Sequence, residues 1–582
     1  MNTVPTTFRA KKLAIHIGTR AGARVRTLLE RQNTAAQTVA QREIPMGAIG
    51  HVGGDKLPTH GNACFFTGLP INGPAVADIV DAQTATRLFP AYAGAFTGIF
   101  WDAQRVMLVV ATDCLGMQPL YVRHVDGELT LVSETKALAG GPDLAAWGAF
   151  ISLGHPIGAR SLMDGLQRVP PASVLTYDCS TRRLEIQPYW QWPEPSDAWQ
   201  RYDFLAALET DARAYAAFGD AGTLLLSGGF DSRLLLFLLL RAHIPADALI
   251  VAHADEHADS DGRLAEAVAT LAGIRYRKAF PPAHFFSSPA YLDYLRASDA
   301  GYPSLDLFIA KVAAQIAAAA VWDGLVPGFA FMPLHQPEGG FAAYLQQEVR
   351  APDSPIWRAA KVLFRPEVVE AMFEGFSDDL RAETGRMPQD MHGLARFVIE
   401  NRSRNRASMN PLKVYANRTN AFTPGLSREF MAHAAGIPFE QKLHGRFYRS
   451  LFERLDQRAL ALPFLSGGEL MKGATASPAF YRERLRIAAS DLRARHPSLF
   501  PGKRYSRPER SVFLGPHLLE EDKWLDPGAR RLLTDINETN YLAWKLLFHW
   551  QAWQRLHQER LQSLAPGKGA GLTKTSDAQE AE

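Results

Sequence analysis

Six consecutive residues, Ser227-Gly228-Gly229-Phe230-Asp231-Ser232, bring two hydroxyls, two glycines and a carboxylate into one short stretch of chain. The stretch follows an apolar run, Thr223 to Leu226, and precedes a leucine-rich segment. A strand, a glycine turn and a helix in that order build an anion site. Glycine lets the backbone turn tightly so that successive N–H groups converge. A helix expected to begin near Arg233 adds the positive end of its dipole. Ser227 and Ser232 would donate hydrogen bonds to phosphate oxygens, and Asp231 would bind the Mg2+ that neutralises a polyphosphate. The plainer alternative is an ordinary turn in which Asp231 and Ser232 cap the helix. The complete Ser-Gly-Gly-x-Asp-Ser pattern between a buried strand and a helix favours the phosphate reading.

Such a loop needs a parallel sheet beneath it. A second strand is expected at Ala248 to Ala252, and strand and helix alternate to about Phe329, the pattern of a parallel sheet with crossover helices. Residues 340–560 read as mainly helical. The preceding half differs: Gly61 to Trp190 is made of short apolar runs broken by Gly, Pro and Asp, and Asp126-Gly127 is a hairpin signal. Leu13 to Val25 reads as strand, glycine turn and helix. The Pro-, Glu- and Trp-rich stretch Trp190 to Trp199 is the expected linker. These readings divide the chain into an N-terminal domain (1–190), a second domain (200–560) and a disordered tail (565–582).

The loop resembles the pyrophosphate loop of N-type ATP pyrophosphatases, and its surroundings resemble the asparagine synthetase family. "HADEHADSDGRLAEAVATLAGIRYR", with Asp259-Ser260-Asp261 before a helix, looks like the segment after that family's second strand. Ala93 to Leu138 looks like its glutaminase-like domain. The resemblance implies an α/β protein: an N-terminal α/β/β/α glutaminase-like sandwich, then an adenine-nucleotide α-hydrolase-like parallel-sheet synthetase domain with added helices. It implies ATP and Mg2+ as cofactors, with the adenine near Val251 and Ala252. A working glutaminase of this family has a cysteine at position 2, whereas this chain has Asn2. The glutaminase domain is therefore expected to be inactive, with Cys64, Cys114 and Cys179 acting as small buried hydrophobes.

Branches of the family without that cysteine use an amine already present on the substrate. The β-lactam and carbapenam synthetases and the lasso peptide cyclases are of this kind. Arg233 after the loop and the segment Trp322 to Phe329 look most like the lasso cyclases, which adenylate an Asp or Glu side chain of a precursor peptide and close a macrolactam on its N-terminal amine. A precursor peptide is then the expected partner, with a leader peptidase a second. A small-molecule amide synthetase and a non-catalytic ATP-binding scaffold remain as alternatives.

Two departures bear on the metal. Where the family has a metal-binding acid this chain has Gly328, leaving Asp323 as the nearest carboxylate, either a replacement Mg2+ ligand or a turn cap before Gly324. Thr423-Pro424-Gly425 likewise lacks the acid of the family's "PF-D" stretch. "LPFLSGGELMKGATASP" resembles the segment carrying the family's catalytic lysine, which makes Lys472 the candidate that stabilises developing charge; a solvated surface lysine is the alternative. His253, Asp255, Glu256, His257, Asp259 and Asp261 are spaced for zinc only if they lie on a helix; a polar loop beside the nucleotide fits better.

Composition excludes several classes. The chain has 582 residues, and 63 basic against 60 acidic residues leave +3, which offers no case for nucleic acid. With 47% hydrophobic and 21% charged residues it reads as globular. Three cysteines make no disulfide framework. The most apolar run, Leu224 to Leu240, is interrupted by Asp231 and Arg233, so no membrane span is expected. Without an apolar N-terminal signal the expected location is the cytoplasm.

Overall fold

Alternation along Phe96–Asp102 gives one strand two faces. Ile99 and Trp101 enter a core between two sheets, while Phe96 and Phe100 turn outward against a helix. A computed structural model describes residues 9–33, 36–219, 222–252, 259–281, 289–301, 312–313, 315–316, 318–331, 340–466, 469–495, 522–529 and 541–557.

In chain order the N-terminal strands are β1 (Arg9–Ala10), β2 (Lys12–Ile17), β3 (Val39–Ile44), β4 (Gly47–Val52), β5 (Ala63–Gly68), β6 (Phe96–Asp102), β7 (Met107–Thr112), β8 (Tyr121–Val125), β9 (Glu128–Val132), β10 (Gln167–Arg168), β11 (Ser173–Asp178) and β12 (Arg183–Pro188). One sheet runs β1-β5-β6-β7-β11-β12, the other β10-β8-β9-β2-β4-β3. Every pair is antiparallel except β1 with β5. Helix α1 (Ala21–Gln32) buries Val25, Leu28 and Leu29 on one outer face. Helix α2 (Ala82–Leu88) covers the other with Ala82 and Ala85, its start held by an Asp81–Thr84 capping box. Asp126 takes positive φ in the expected β8–β9 hairpin.

The second half carries a five-stranded parallel sheet. Its strands are β13 (Gly222–Leu225), β14 (Ala246–Val251), β15 (Tyr276–Ala279), β16 (Ala320–Trp322) and β17 (Asn420–Phe422), in the order β15-β14-β13-β16-β17. Helices α3 (Leu144–Leu153), α4 (Phe204–Ala216), α5 (Phe230–Arg241) and α6 (Ser260–Ala272) follow in chain order. β17 was not expected from the sequence, nor was the hairpin β18 (Phe464–Ser466) and β19 (Glu469–Met471). Three-residue strands carry too little period-2 pattern to be read without their partners.

The described residues between 340 and 557 are mainly helical, as the periodicity predicts. Two stretches within them, Val398–Ala407 and Asn410–Tyr415, are wound wider than an α-helix; Ser408 N donates to Ser403 O (2.9 Å) and Ala416 N to Pro411 O (3.1 Å), five residues back. Helix Tyr541–His557 returns to the N-terminal half, where Trp550 and Trp553 stack edge-on against Trp147 of α3. Two neighbouring helices therefore share one core across the halves. Asn2 and the tail 565–582 lie outside the described residues. Among the described residues no helix is long and apolar enough to cross a membrane.

Gly148 of α3 lets helix Pro366–Gly385 approach closely: a Cβ there would lie 1.9 Å from the Met372 carbonyl oxygen. Gly148→Ala should lower the denaturant midpoint, at a cost of about 1–3 kcal/mol. Gly141→Ala, whose Cβ would meet nothing within 4 Å, should change it by less than about 0.5 kcal/mol.

Candidate active site

The loop lies at the carboxyl end of β13, between its neighbours β14 and β16. The helix begins at Phe230, earlier than the sequence reading placed it, so Asp231, Ser232 and Arg233 all sit in its first turn. Gly229 is the N-cap, at φ −79°, and no side chain caps the helix. The first-turn N–H groups therefore lack the usual side-chain acceptor, which suits an anion.

The expected reason for the glycines needs correction. Neither Gly228 nor Gly229 takes positive φ. Gly228 is required by packing, because a Cβ there would lie 2.8 Å from Leu264 Cβ on α6. The Ser227 and Ser232 hydroxyls lie 2.9 Å apart, and the Ser227 N–H donates to Ser232 Oγ (3.0 Å). Asp261 accepts the Gly228 N–H at 2.9 Å. Burial pushes the Asp261 carboxyl upward, and the Gly228 N–H opposes the shift. Its family-like segment is thus joined directly to the loop.

Arg233 holds the loop to a distant part of the chain. Its buried guanidinium donates to the carbonyls of Gly228 (3.2 Å), Ala459 (3.0 Å), Leu462 (3.1 Å) and Pro463 (2.7 Å). It lies 3.8 Å over the Phe464 ring, whose centroid is 4.0 Å from the Phe230 ring with the planes almost parallel. Leu465 N donates to Gly228 O (3.0 Å), completing the seam between hairpin and loop. Burial lowers the guanidinium to about 9.

Asp231 and Asp323 are half-buried carboxylates beneath the loop. Burial raises each to about 6, and for Asp323 the charge of Asp231 adds to the rise. Asp231 Oδ1 accepts from the Tyr448 hydroxyl, and Asp323 Oδ1 accepts from Leu325 N (2.9 Å). Each thus keeps a second oxygen outside these bonds. Gly328, on the short helix Leu325–Phe331, faces Asp231: a Cβ there would lie 2.9 Å from Asp231 Oδ2. Glycine stands where the resemblance expects an acid, and its lack of a side chain lets this helix approach Asp231 closely. Among the described residues no group of three or more His, Cys, Asp and Glu is arranged to hold a metal ion. Two carboxylates suit Mg2+, which binds through one or two such groups together with substrate phosphates.

The other candidates are placed as follows. Val251 ends β14 at the same sheet edge as the loop, and the Ala252 N–H is taken by Ala279 O (2.9 Å). Lys472 follows β19 and is exposed, its carbonyl accepting from Arg449. Its strand is tied to the loop through the Arg233 seam. Gly425 takes φ +98°, a conformation suited to glycine, and its N–H donates to Asp211 (2.8 Å). Asp259 caps α6 through Gly262 N (3.1 Å). His253, Asp255, Glu256 and His257 lie outside the described residues.

Three residues were missed as site residues: Tyr448, Asp261 in its loop contact, and Tyr415, whose buried hydroxyl has no hydrogen-bond partner among the described residues and feels the charge of Asp323. Tyr448 and Tyr415 lie on helical stretches with no motif, so only the fold could have found them. Cys114 and Cys179 are buried and Cys64 half-buried. Burial raises the Cys64 and Cys179 thiols to about 12 and Cys114 well above its ordinary value, so none is primed as a thiolate.

The glutamine amidotransferase domain family matches residues 81–190, within the two-sheet half. Comparison with curated proteins gives no match. Among solved structures, glutamine phosphoribosylpyrophosphate amidotransferase from B. subtilis, complexed with ADP and GMP, is 12% identical over 46% of this chain and 65% of that one, with a TM-score of 0.23. A structure described as the allosteric regulatory enzyme of purine biosynthesis is 13% identical over 46% and 64%, also at 0.23. This chain spans less than two thirds of either, and overlays this loose constrain neither fold nor chemistry.

Two predictions follow from the geometry. Arg233→Lys should cost about 2–3 kcal/mol, because an ammonium cannot span four carbonyls; circular dichroism in denaturant reads this. For Asp231 and Asp323 the folded value, about 6, lies above the ordinary 3.8. Their contribution to stability is therefore full below about pH 4 and is lost as pH rises through 6. Asp231→Asn should be more stable than the parent above pH 6, with the advantage shrinking toward pH 4.

Proposed function

We propose that this chain is an ATP-dependent, AMP-forming amide ligase that closes a macrolactam on a peptide. The observation that carries the reading is the uncapped start of α5 meeting Ser227 and Ser232 above two half-buried carboxylates whose ordinary acidity is suppressed. The glutamine amidotransferase match at 81–190 supports it, as do the suppressed thiols, which leave the described cysteines unfit to release ammonia from glutamine.

In this reading a side-chain carboxylate of an Asp or Glu in the precursor attacks the α-phosphate of ATP and expels pyrophosphate. The precursor's N-terminal amine then attacks the acyl-adenylate, AMP leaves and the lactam forms. The α5 N–H groups and the Ser227 and Ser232 hydroxyls bind the pyrophosphate oxygens. Asp231 and Asp323 would hold Mg2+, which when bound neutralises polyphosphate charge. Tyr448 orients Asp231 through its hydroxyl. Lys472 acts only if its hairpin bends the ammonium toward the loop, where it stabilises the charge that develops on the leaving phosphate. Holding both ends of one peptide together supplies much of the rate.

Purified protein incubated with ATP, Mg2+ and candidate precursor peptides should release pyrophosphate and AMP and yield a peptide lighter by one water. Asp231→Ala should abolish release, and Lys472→Ala should slow it at least about 100-fold with the circular dichroism unchanged. Release driven by a small carboxylate but by no peptide would favour the small-molecule synthetase. Gly328 beside Asp231 favours one further reading, a non-catalytic scaffold, which nucleotide binding without any pyrophosphate release would support.

A further inference from the structure

Away from the loop, the two halves meet around a buried group of charges. Lys12 pairs with Glu134, Lys136 with both Glu134 and Asp299 (3.1 Å to the latter), and Lys413 with Asp299. All five are buried. Three ammoniums meet two carboxylates, leaving one positive charge in excess in these pairs. His557, which reaches the group through Thr135 (2.9 Å), adds no charge near neutrality because burial holds it at about 4. An unbalanced buried charge is costly unless an anion answers it or a lysine gives up its proton.

A cavity of about 150 Å3 opens beside this excess charge. Lys11, Lys12, Lys413, Glu134, Gln118 and Asn420 are on its wall. Lys11 Nζ donates to Thr419 O (2.8 Å) and Asn420 Oδ1 (3.0 Å) at the half-buried rim. Glu134, the one carboxylate among these six, has its two oxygens engaged by Lys12 and Lys136, so it repels an entering anion only weakly. The volume exceeds the roughly 30 Å3 share of one water and accommodates a small oxyanion. Among the described residues Lys12 has one ion-pair partner, Glu134, and burial together with Lys136 and Lys413 disfavours its charged form; an anion in the cavity would reverse that.

We propose that the cavity between the halves binds a small oxyanion, a carboxylate or a phosphate, with Lys12 and Lys413 as its charged partners and Lys11 at the mouth. The site is separate from the Ser227–Ser232 loop and does not depend on the ligase reading. Its far wall is formed by the wide helix Asn410–Tyr415 and β17, and Phe422 of β17 accepts the Asp323 N–H (3.0 Å). An occupant would therefore press on elements that hold Asp323.

The test is calorimetric titration of the full chain with inorganic phosphate and, separately, acetate, at constant ionic strength set by chloride. Saturable binding of either anion, weakened about tenfold or more in Lys12→Met and also in Lys11→Met, with Lys361→Met unchanged, is the expected result. The arm that saturates identifies which oxyanion the cavity prefers. Absence of saturable heat for both anions in the parent would overturn the proposal, with the excess charge then relieved by a neutral lysine. Affinity unchanged in both Lys12→Met and Lys11→Met would overturn it too, since that is the behaviour of phosphate seated at the Ser227–Ser232 loop. Should Lys12→Met fail to fold, the parent titration and Lys11→Met decide the matter.

Discussion

A guanidinium with nowhere to go but backbone oxygen organises the loop. Arg233 is buried on the first turn of α5, and four main-chain carbonyls accept its hydrogen bonds. Three of them belong to 459–463, more than two hundred residues away in sequence. Because a buried cation cannot be left unsatisfied, the 459–466 segment must lie against the loop. That places β18 beside Gly228, stacks Phe464 on Phe230, and puts β19 and Lys472 at the edge of the same site. The adjacent helix Arg446–Leu455 brings in Tyr448, which reaches Asp231.

The metal-like pair follows from the sheet. β13 and β16 are parallel neighbours, so residues just beyond their carboxyl ends converge, and Asp231 and Asp323 come from those two ends. Burial beneath the loop raises both to about 6. Near neutrality the site carries strained negative charge that a cation would relieve. Gly328 packs so closely on Asp231 that even a Cβ would crowd its Oδ2 at 2.9 Å, and an acid there would add to the repulsion.

The halves are joined by the opposite means. One apolar contact between them is the cluster of Trp147, Trp550 and Trp553, and one polar contact is the chain of lysines and carboxylates through Asp299. The wide-wound helices supply Arg404, which donates to Gly116 and Val169, and Lys413, which pairs with Asp299. Arg168 answers from the first half by donating to Arg404 O (2.8 Å). The linear order of the domains is therefore a poor guide to which segments share a core.

Much of the local order was legible in the chain because it depends on near neighbours. The strand–loop–helix around Ser227 to Ser232, the alternating strands of the first half, the β8–β9 turn at Asp126-Gly127 and the helices after residue 340 follow from periodicity and turn chemistry, which act over a few residues. β17, the β18–β19 hairpin and the wide-wound helices did not follow, because each is stabilised by partners remote in sequence. The same division holds at the candidate site. Residue types and spacing marked Ser227, Asp231 and Ser232 as chemically capable, and the family resemblance added Asp323. That Gly228 is glycine to admit Leu264, that Arg233 is a clamp, and that Tyr448 serves Asp231 were decided by tertiary packing, since a hydrogen bond or a steric contact between distant segments leaves no pattern in either segment by itself.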